Sequence, residues 1–416
     1  MVAFHYPPMW GSSGIQRTLR FSRYLPDHGW RPIVLTAHPR AYPNTHSDSL
    51  GDIPPSVLVE RAFALDTARH LCLNGRYLKA LALPDRWISW VLGAVPKGLA
   101  LIMRHRPAVL WSTYPIASAH LVGYCLHRLT GIPWVADFRD PMTEGEPGIS
   151  RCFPEDPTLW KMRRRIERLT VAHCTRAVFV SPGAREIYAN RYASLPSSKW
   201  EIIANGYDEE AFLAAKRLAV PARPANAPLL FIHSGVLYPM EGDRNPIAFF
   251  KALRELKSTG EVSSQTVHIL LRASGNEEVF QKTIDALEIN DLVSLAPALP
   301  YTEALAEMLH ADGLLVFQGP ISNPNIPAKL YEYMRARRPI FALVDSAGDT
   351  AGVLRQIGVG ILVPLDDPRQ IGEGFLRFLE QVRNGTAARA SDAAVKAHSR
   401  EARTVELAKI FNDLGS

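Results

Sequence analysis

Residues 325–334 read Asn325-Ile326-Pro327-Ala328-Lys329-Leu330-Tyr331-Glu332-Tyr333-Met334. They follow an apolar run, Gly313-Leu314-Leu315-Val316-Phe317, and a polar stretch from Gln318 to Asn325. The apolar run predicts a buried strand and the polar stretch a loop. Pro327 suits the first turn of a helix, where no amide hydrogen is needed. Lys329 and Glu332 then share one face, while Leu330 and Met334 turn inward. A helix that starts at the C-terminal end of a parallel strand aims its first amides into the crevice where doubly wound sheets hold ligands. In that crevice Lys329 suits a phosphate and Glu332 a pair of sugar hydroxyls. The stretch reads as the holder of a nucleotide diphosphate.

The same strand-turn-helix pattern surrounds it. Strands are expected at 229–233, 267–271, 293–295, 313–317, 339–344 and 360–364, alternating with helices. Successive strand ends carry Ser234-Gly235, with Arg244 beyond; Arg272-Ala273-Ser274-Gly275; Leu299-Pro300-Tyr301; and Lys329. Gly235, Ser274 and Gly275 let a backbone approach a phosphate closely. Arg244 reaches the same phosphates, and Pro300 and Tyr301 line a base pocket.

The first half repeats the pattern. Residues 2–6 read as a strand, 7–14 as a Gly/Ser/Pro loop, 15–28 as a helix and 31–36 as a strand. The loop is not GxGxxG, so a dinucleotide fingerprint is absent. Gly14 closes it, either as part of a phosphate cradle or as an ordinary tight turn. Further strands are expected at 108–113, 134–136, 177–181 and 200–204. The strand at 134–136 ends in Asp137-Phe138-Arg139-Asp140-Pro141. Carboxylates and a guanidinium at a strand's C-terminal end stand where α/β enzymes keep catalytic groups. The alternative is a self-satisfied cluster that orders the loop. The proline- and alanine-rich stretch 218–228 reads as a linker.

Composition narrows the class. The chain has 416 residues, a formal charge of +6 and a pI near 9.1. That basic excess fits phosphate ligands, an anionic surface or nucleic acid without choosing among them. Cys72, Cys125, Cys152 and Cys174 form no CxxC pair, so no zinc or disulfide framework is expected, and a reducing compartment is the default. The N-terminus lacks the basic region of a signal peptide and reads as beginning inside a strand. No run of about 18 uncharged apolar residues predicts a membrane span. Residues 76–106 mix Leu78, Leu81, Trp87 and Trp90 with Arg76, Lys79, Arg86, Arg104 and Arg106, which suits either a headgroup interface or a helix packed on the sheet. The basic helix 161–176 reads as an apolar stripe with a solvated arginine face.

Together these residues resemble the GT-B glycosyltransferases, specifically the family 4 group of retaining, nucleotide-sugar-dependent enzymes, in the branch that builds bacterial surface polysaccharides. The matching pieces are Tyr6-Pro7-Pro8 through Gly14, Trp134 through Pro141, Val180-Ser181-Pro182-Gly183, Asn205-Gly206-Tyr207-Asp208, Ser234-Gly235 with Arg244, and Ile326 through Tyr333. The resemblance implies an α/β fold of two Rossmann-like doubly wound domains facing across a cleft. The expected layout is an acceptor-side domain at 1–212, a linker at 213–228, a nucleotide-sugar domain at 229–390 and a C-terminal helix at 391–416 that packs back on the first domain. It implies Glu332 on the donor ribose and Arg244 and Lys329 on the diphosphate. Asp137 or Asp140 would position or deprotonate the acceptor, with Arg139 ordering them or holding an acceptor phosphate. Asn325 or Asn323 would replace the first acid of the family's Glu-x7-Glu motif, because Pro324 stands in its place. No cofactor or metal is implied, and no nucleic acid. The implied partners are a nucleoside diphosphate sugar and a lipid-linked acceptor, with the protein cytoplasmic or peripheral on the inner membrane face. Two rivals fit the same crevice: a sugar-nucleotide epimerase of similar fold, and a degenerate transferase that binds nucleotide or membrane.

Overall fold

Strands that are apolar on both faces belong in parallel sheets covered by helices on both sides. Both halves of this chain have them. The computed structural model describes residues 1–12, 14–219, 223–224 and 226–415. Two units emerge, Met1–Ala204 with Arg400–Ser416, and Asn205–Ser399.

In the first unit the strands are β1 (Ile33–Ala37), β2 (Leu58–Ala62), β3 (Leu110–Thr113), β4 (Trp134–Arg139), β5 (Arg176–Phe179) and β6 (Trp200–Ile202). β1 pairs with β2, and β3 through β6 run side by side, all parallel. Residues 1–3 join the two groups. The Leu35 amide donates to the Met1 carbonyl at 2.8 Å, and the Val2 amide donates to the Trp111 carbonyl at 2.7 Å. The strand expected over 2–6 is thus a short central ladder, cut off before Pro7 and Pro8, which have no amide hydrogen to pair. β2 escapes the sequence pattern because Glu60 and Arg61 interrupt its apolar run.

Side chains alternate across β4. Trp134, Ala136 and Phe138 enter the large core, where Phe138 stacks on Phe179 at 5.5 Å. Val135 faces the other way, onto Leu407 and Phe411 of the helix Arg400–Gly415. Asp137 shares that second side, so a carboxylate points into the interior. Arg17, on the helix Gly14–Tyr24, meets it with Nε at 2.8 Å and Nη2 at 2.9 Å. Nη2 also donates to the Ile203 carbonyl at 3.0 Å, and the Thr113 hydroxyl donates to Asp137 at 2.9 Å. One buried ion pair thereby ties the first helix to β3, β4 and the segment after β6.

The second unit contains β7 (Leu229–Ser234), β8 (Val267–Arg272), β9 (Val293–Ala296), β10 (Gly313–Gln318), β11 (Ile340–Val344) and β12 (Ile361–Val363). They form one parallel sheet in the order β12-β11-β10-β7-β8-β9. Phe231, Phe249, Phe341, Phe375 and Phe378 fill one side. Gly313 leaves room for them, since a Cβ there would lie 2.9 Å from the rings of Phe231 and Phe378. The strand order reverses between β7 and β10, which makes their C-terminal ends the switch point of the sheet.

Several expectations need correction. Residues 213–216 are not linker: they close the helix Glu209–Lys216, which belongs to the second unit and pairs Glu209 with Arg335. Of the rest of that stretch, residues 220–222 and 225 lie outside the described residues. The tail is two helices, Asp392–Ala397 in the second unit and Arg400–Gly415 in the first. The latter is held by Trp30, whose indole donates to Asn412 at 2.9 Å. Residues 76–106 are not one helix. Asp85 accepts the Ser118 amide at 2.8 Å, Arg86 pairs with Asp66, and the helix starts only at Trp90. In the helix Pro157–His173, Arg163 and Arg164 turn to Tyr114 and Glu167 rather than to solvent. No helix among the described residues is long and apolar enough to cross a membrane.

Removing one member of the Arg17–Asp137 pair leaves the other charge buried and alone. Arg17→Met is therefore expected to destabilise the first unit by about 3–5 kcal/mol. Equilibrium denaturant unfolding measures this, and a loss below about 1 kcal/mol would mean the pair does not hold the unit together.

Candidate functional site

The second unit gathers its polar groups where β7 and β10 part. Lys329 lies in the first turn of the helix Ala328–Ala336. Pro327 is the residue before that helix rather than its first residue, and no side chain caps the helix start. The Lys329 ammonium donates to Nε2 of His233 at 3.0 Å. His233 is the penultimate residue of β7, and its Nδ1 donates to the Leu315 carbonyl on β10 at 2.8 Å. Burial, with the charges of Lys329 and Arg244 adding to it, holds the His233 imidazole well below its ordinary pKa, so the ring is neutral. Burial followed by repulsion from Arg244 pushes Lys329 down to about 7, against a pull upward from Glu332.

The backbone is shaped around this pair. Gly235 adopts φ +116, and a Cβ there would stand 2.7 Å from the Lys329 Nζ. The Ser234 amide donates to the Tyr333 hydroxyl at 2.9 Å, which fastens the turn after β7 to the helix. Glu332, one turn along, accepts from the Tyr301 hydroxyl at 2.8 Å. Tyr301 opens the helix that follows Pro300. Arg244 lies with its guanidinium carbon 5.0 Å over the Tyr238 ring and its Nε 3.6 Å from Asp243. Ser274 is buried and its carbonyl receives the Leu237 amide at 2.9 Å, while Gly275 takes φ +79 beside Val236. Lys329, Glu332, Gly235, Tyr301 and Arg244 thus collect around one strand junction.

The loop 318–327 holds two asparagines. The Asn323 side-chain amide donates to Asp345 at 2.7 Å and its backbone carbonyl receives the Asp349 amide at 2.9 Å. Asn325 holds the loop through its backbone carbonyl, which accepts from Gln318 and from Thr350, both at 3.2 Å. Its side-chain oxygen is buried without a partner. The Asn323 side-chain oxygen is likewise buried without a partner, so both asparagines keep one free acceptor, and only the Asn323 side-chain amide is spent.

In the first unit the C-terminal end of β4 carries a bulge between Asp137 and Arg139. Arg139 has φ +61, a left-handed backbone that costs a non-glycine residue about 1–2 kcal/mol. The bulge turns its guanidinium toward Gly14, where a Cβ would lie 3.0 Å from Nη1 and 2.5 Å from Nδ1 of His5. His5 meets the Ser12 hydroxyl at 3.0 Å, and that hydroxyl accepts the Gly14 amide at 3.2 Å. Burial, then Arg139, lowers His5 to about 4, so its ring stays neutral near pH 7. Asp140 is exposed beside Arg139. Asp137 is not part of this open group. It is fully buried, with both oxygens taken by Arg17 and Thr113, and it serves as a structural anion.

Sequence reading passed over His5, Ser12, His233, Tyr238 and Tyr333. A histidine or tyrosine in an apolar run looks like core, and His233 is flanked by Ile232 and Ser234 with no motif around it. Polar residues at two strand ends of the N-terminal β-α-β were the only available signal for His5 and Ser12.

Two parallel α/β units, each with polar groups at its strand ends, have the architecture of the GT-B fold. Residues 13–211, just under half of the chain, match the family described as Glycosyltransferase Family 4. The chain is similar in structure to sucrose-phosphate synthase from Thermosynechococcus elongatus, with TM-score 0.63 and 15% identity over 99% of this chain and 98% of that one. It is also similar to HepE from Anabaena in complex with UDP, with TM-score 0.63 and 13% identity over 99% of each chain. A third is α,α-trehalose 6-phosphate synthase from Burkholderia multivorans, with TM-score 0.62 and 11% identity over 99% and 98%. No curated protein matches the chain in sequence. The whole chain thus shares the GT-B fold of these structures, and residues 13–211 resemble Glycosyltransferase Family 4.

Gly235 and Gly352 make a paired test of the site's geometry. Gly235→Ala forces a Cβ against Lys329 at a φ that side chains avoid, and a cost of about 1–3 kcal/mol is expected. Gly352 lies inside the helix Asp349–Ile357 with open space around it, so Gly352→Ala is expected to stabilise by about 0.5–1 kcal/mol. Thermal or denaturant unfolding reads both, and opposite signs are required.

Proposed function

We propose that this protein is a glycosyltransferase that moves a sugar from a nucleoside diphosphate sugar to an acceptor hydroxyl with retention of configuration. The observation that carries the reading is the Lys329–Glu332 face at the switch point of the second sheet, beside Gly235 and Arg244. The difficult step is departure of the diphosphate from an oxocarbenium-like centre. Fixed positive charge at Lys329 and Arg244, with the uncapped amides of the helix start, stabilises the charge that grows on the leaving oxygen. Glu332, held by Tyr301, accepts from the ribose hydroxyls. Asn325 offers its unpartnered oxygen to the donor sugar in place of the absent acid. Retention follows from the resemblance to family 4, and no protein nucleophile is assigned.

On the acceptor side we place Asp140, which is exposed, rather than Asp137. Arg139 and Gly14 suit an anionic part of the acceptor, with His5 and Ser12 shaping the cradle. A lipid-linked acceptor agrees with an exposed apolar and basic stretch in the first unit. Leu73 is 79% exposed and Leu78 72%, and both stand beside Arg76 and Lys79. Apolar side chains that enter an interface, flanked by cations, match an anionic bilayer. Leu73→Glu with Leu78→Glu is expected to lower binding to vesicles containing anionic lipid at least several-fold in a flotation assay. Equal binding by the variant would remove that part of the reading.

The central experiment is a donor screen. UDP-, GDP- and dTDP-sugars are incubated with the protein, and nucleotide release is followed with and without a lipid-linked acceptor. UDP is the first base to try, since the similar HepE was solved with it. Acceptor-dependent release is expected, and chelation with EDTA is expected to leave it unchanged because the leaving-group charge falls to Arg244 and Lys329. Lys329→Ala is expected to weaken donor binding at least a hundredfold, about 2.7 kcal/mol, and to abolish turnover. Thermal stabilisation by nucleotide without release would point to a binding protein instead, and epimerisation of the free donor to an epimerase.

A further inference from the structure

We propose that His233 is a positioning residue that seats the Lys329 ammonium for the donor diphosphate, and that donor binding draws a proton onto Lys329. The inference rests on the reading of Lys329 as a diphosphate ligand. Its geometry is separate from that reading. The Leu315 carbonyl fixes the His233 ring by accepting from Nδ1 at 2.8 Å, which leaves the lone pair on Nε2. Lys329 donates to that lone pair at 3.0 Å. The Phe317 ring packs edge-on against the imidazole at 5.1 Å and blocks other orientations. Gly235 bounds the ammonium on another side with bare backbone. A lysine has three N–H donors. One is spent on His233, and the remaining two are available to phosphate oxygens.

The charged and titratable groups that face Lys329 come from three elements. His233 lies on β7 and accepts only, because burial keeps it neutral. Arg244, from the segment after β7, repels the ammonium, and Glu332, on the same helix, attracts it. Glu332 is shared with Tyr301, which reduces its pull on Lys329. With burial added, the free protein holds Lys329 near the middle of its titration at neutral pH. A diphosphate supplies the missing negative charge. The balance is simple: the neutral amine takes one proton from solvent, an N–H bond forms as the donor O–H bond breaks, no bond between heavy atoms changes, and the ammonium is held between Nε2 and phosphate oxygen. Above about pH 7 the free protein has lost this proton, so binding there costs a protonation and affinity falls as pH rises.

The probe is whichever of UDP-, GDP- or dTDP-glucose binds best, since none has a group titrating near neutrality. Calorimetry at pH 6.0 and 8.0, in buffers of different ionisation enthalpy, counts protons. Little uptake is expected at pH 6.0 and most of one proton at pH 8.0; the same count at both would overturn the proton linkage. His233→Phe keeps a ring but removes the lone pair. It is expected to weaken binding about tenfold at pH 7.5, the scale of one hydrogen bond to a charged group, and to shift the pH midpoint of binding downward. His233→Gln restores an acceptor and is expected to recover most of both. A purely structural histidine would lower the melting temperature of the variants and leave the midpoint unmoved, and that result would overturn the positioning role. Should His233→Phe fail to fold, His233→Gln and the wild-type proton count still decide. If Lys329→Ala binds the donor like wild type, the diphosphate reading itself falls. If Lys329→Ala loses binding while His233→Phe matches wild type in affinity and midpoint, only the inference about His233 falls.

Discussion

A guanidinium buried against a carboxylate organises the first unit. Arg17 and Asp137 are 120 positions apart, and both are almost fully removed from water. Such a pair survives burial only when every remaining lone pair and N–H is occupied. Thr113 and the carbonyls of Ile203 and Ala204 occupy them here. The consequence is positional. The first helix cannot slide along β4, so Gly14 at its start is fixed against His5 and Arg139. The open polar group at the end of the first sheet depends on a closed polar group one residue below it.

The second unit solves a related problem with a weaker contact. Its junction holds an ammonium, a neutral imidazole and a glycine, and among the described residues no carboxylate pairs with the lysine directly. Glu332 is diverted to Tyr301, and Arg244 adds a like charge. This is an arrangement short of negative charge, which costs stability in the free protein and favours an anion when one arrives. Cationic crowding around a glycine turn has no structural purpose as plain as that of Arg17. Strain at Arg139 tells the same story in the first unit, since a left-handed arginine persists only where its surroundings insist on it.

Buried polar groups elsewhere separate structure from function by their saturation. Glu167 accepts from Thr143, Tyr188, Arg191, Arg164 and Tyr192, and so it staples the loop after β4 to two helices. It has no capacity left for a ligand. Asn325 and the Lys329 ammonium retain capacity, and they lie together after β10.

The sequence alone determined the strands of both sheets apart from β2, because parallel strands need apolar residues on both faces and leave continuous runs, which Glu60 and Arg61 break in β2. It also determined that Lys329 and Glu332 share a face, since helical spacing does not depend on context. Tertiary structure decided the rest. Asp137 and Asp140 look alike in the string, but strand parity buries one and a bulge exposes the other. The helix over 209–216 joined the second unit through Glu209 and Arg335, a contact across 126 positions that composition cannot register. His233 became the partner of Lys329 only when β7 and β10 lay side by side. A hydrogen bond between residues 96 apart leaves no mark on either one's neighbours in sequence, and that is why the anchor of the site was invisible until the chain was folded.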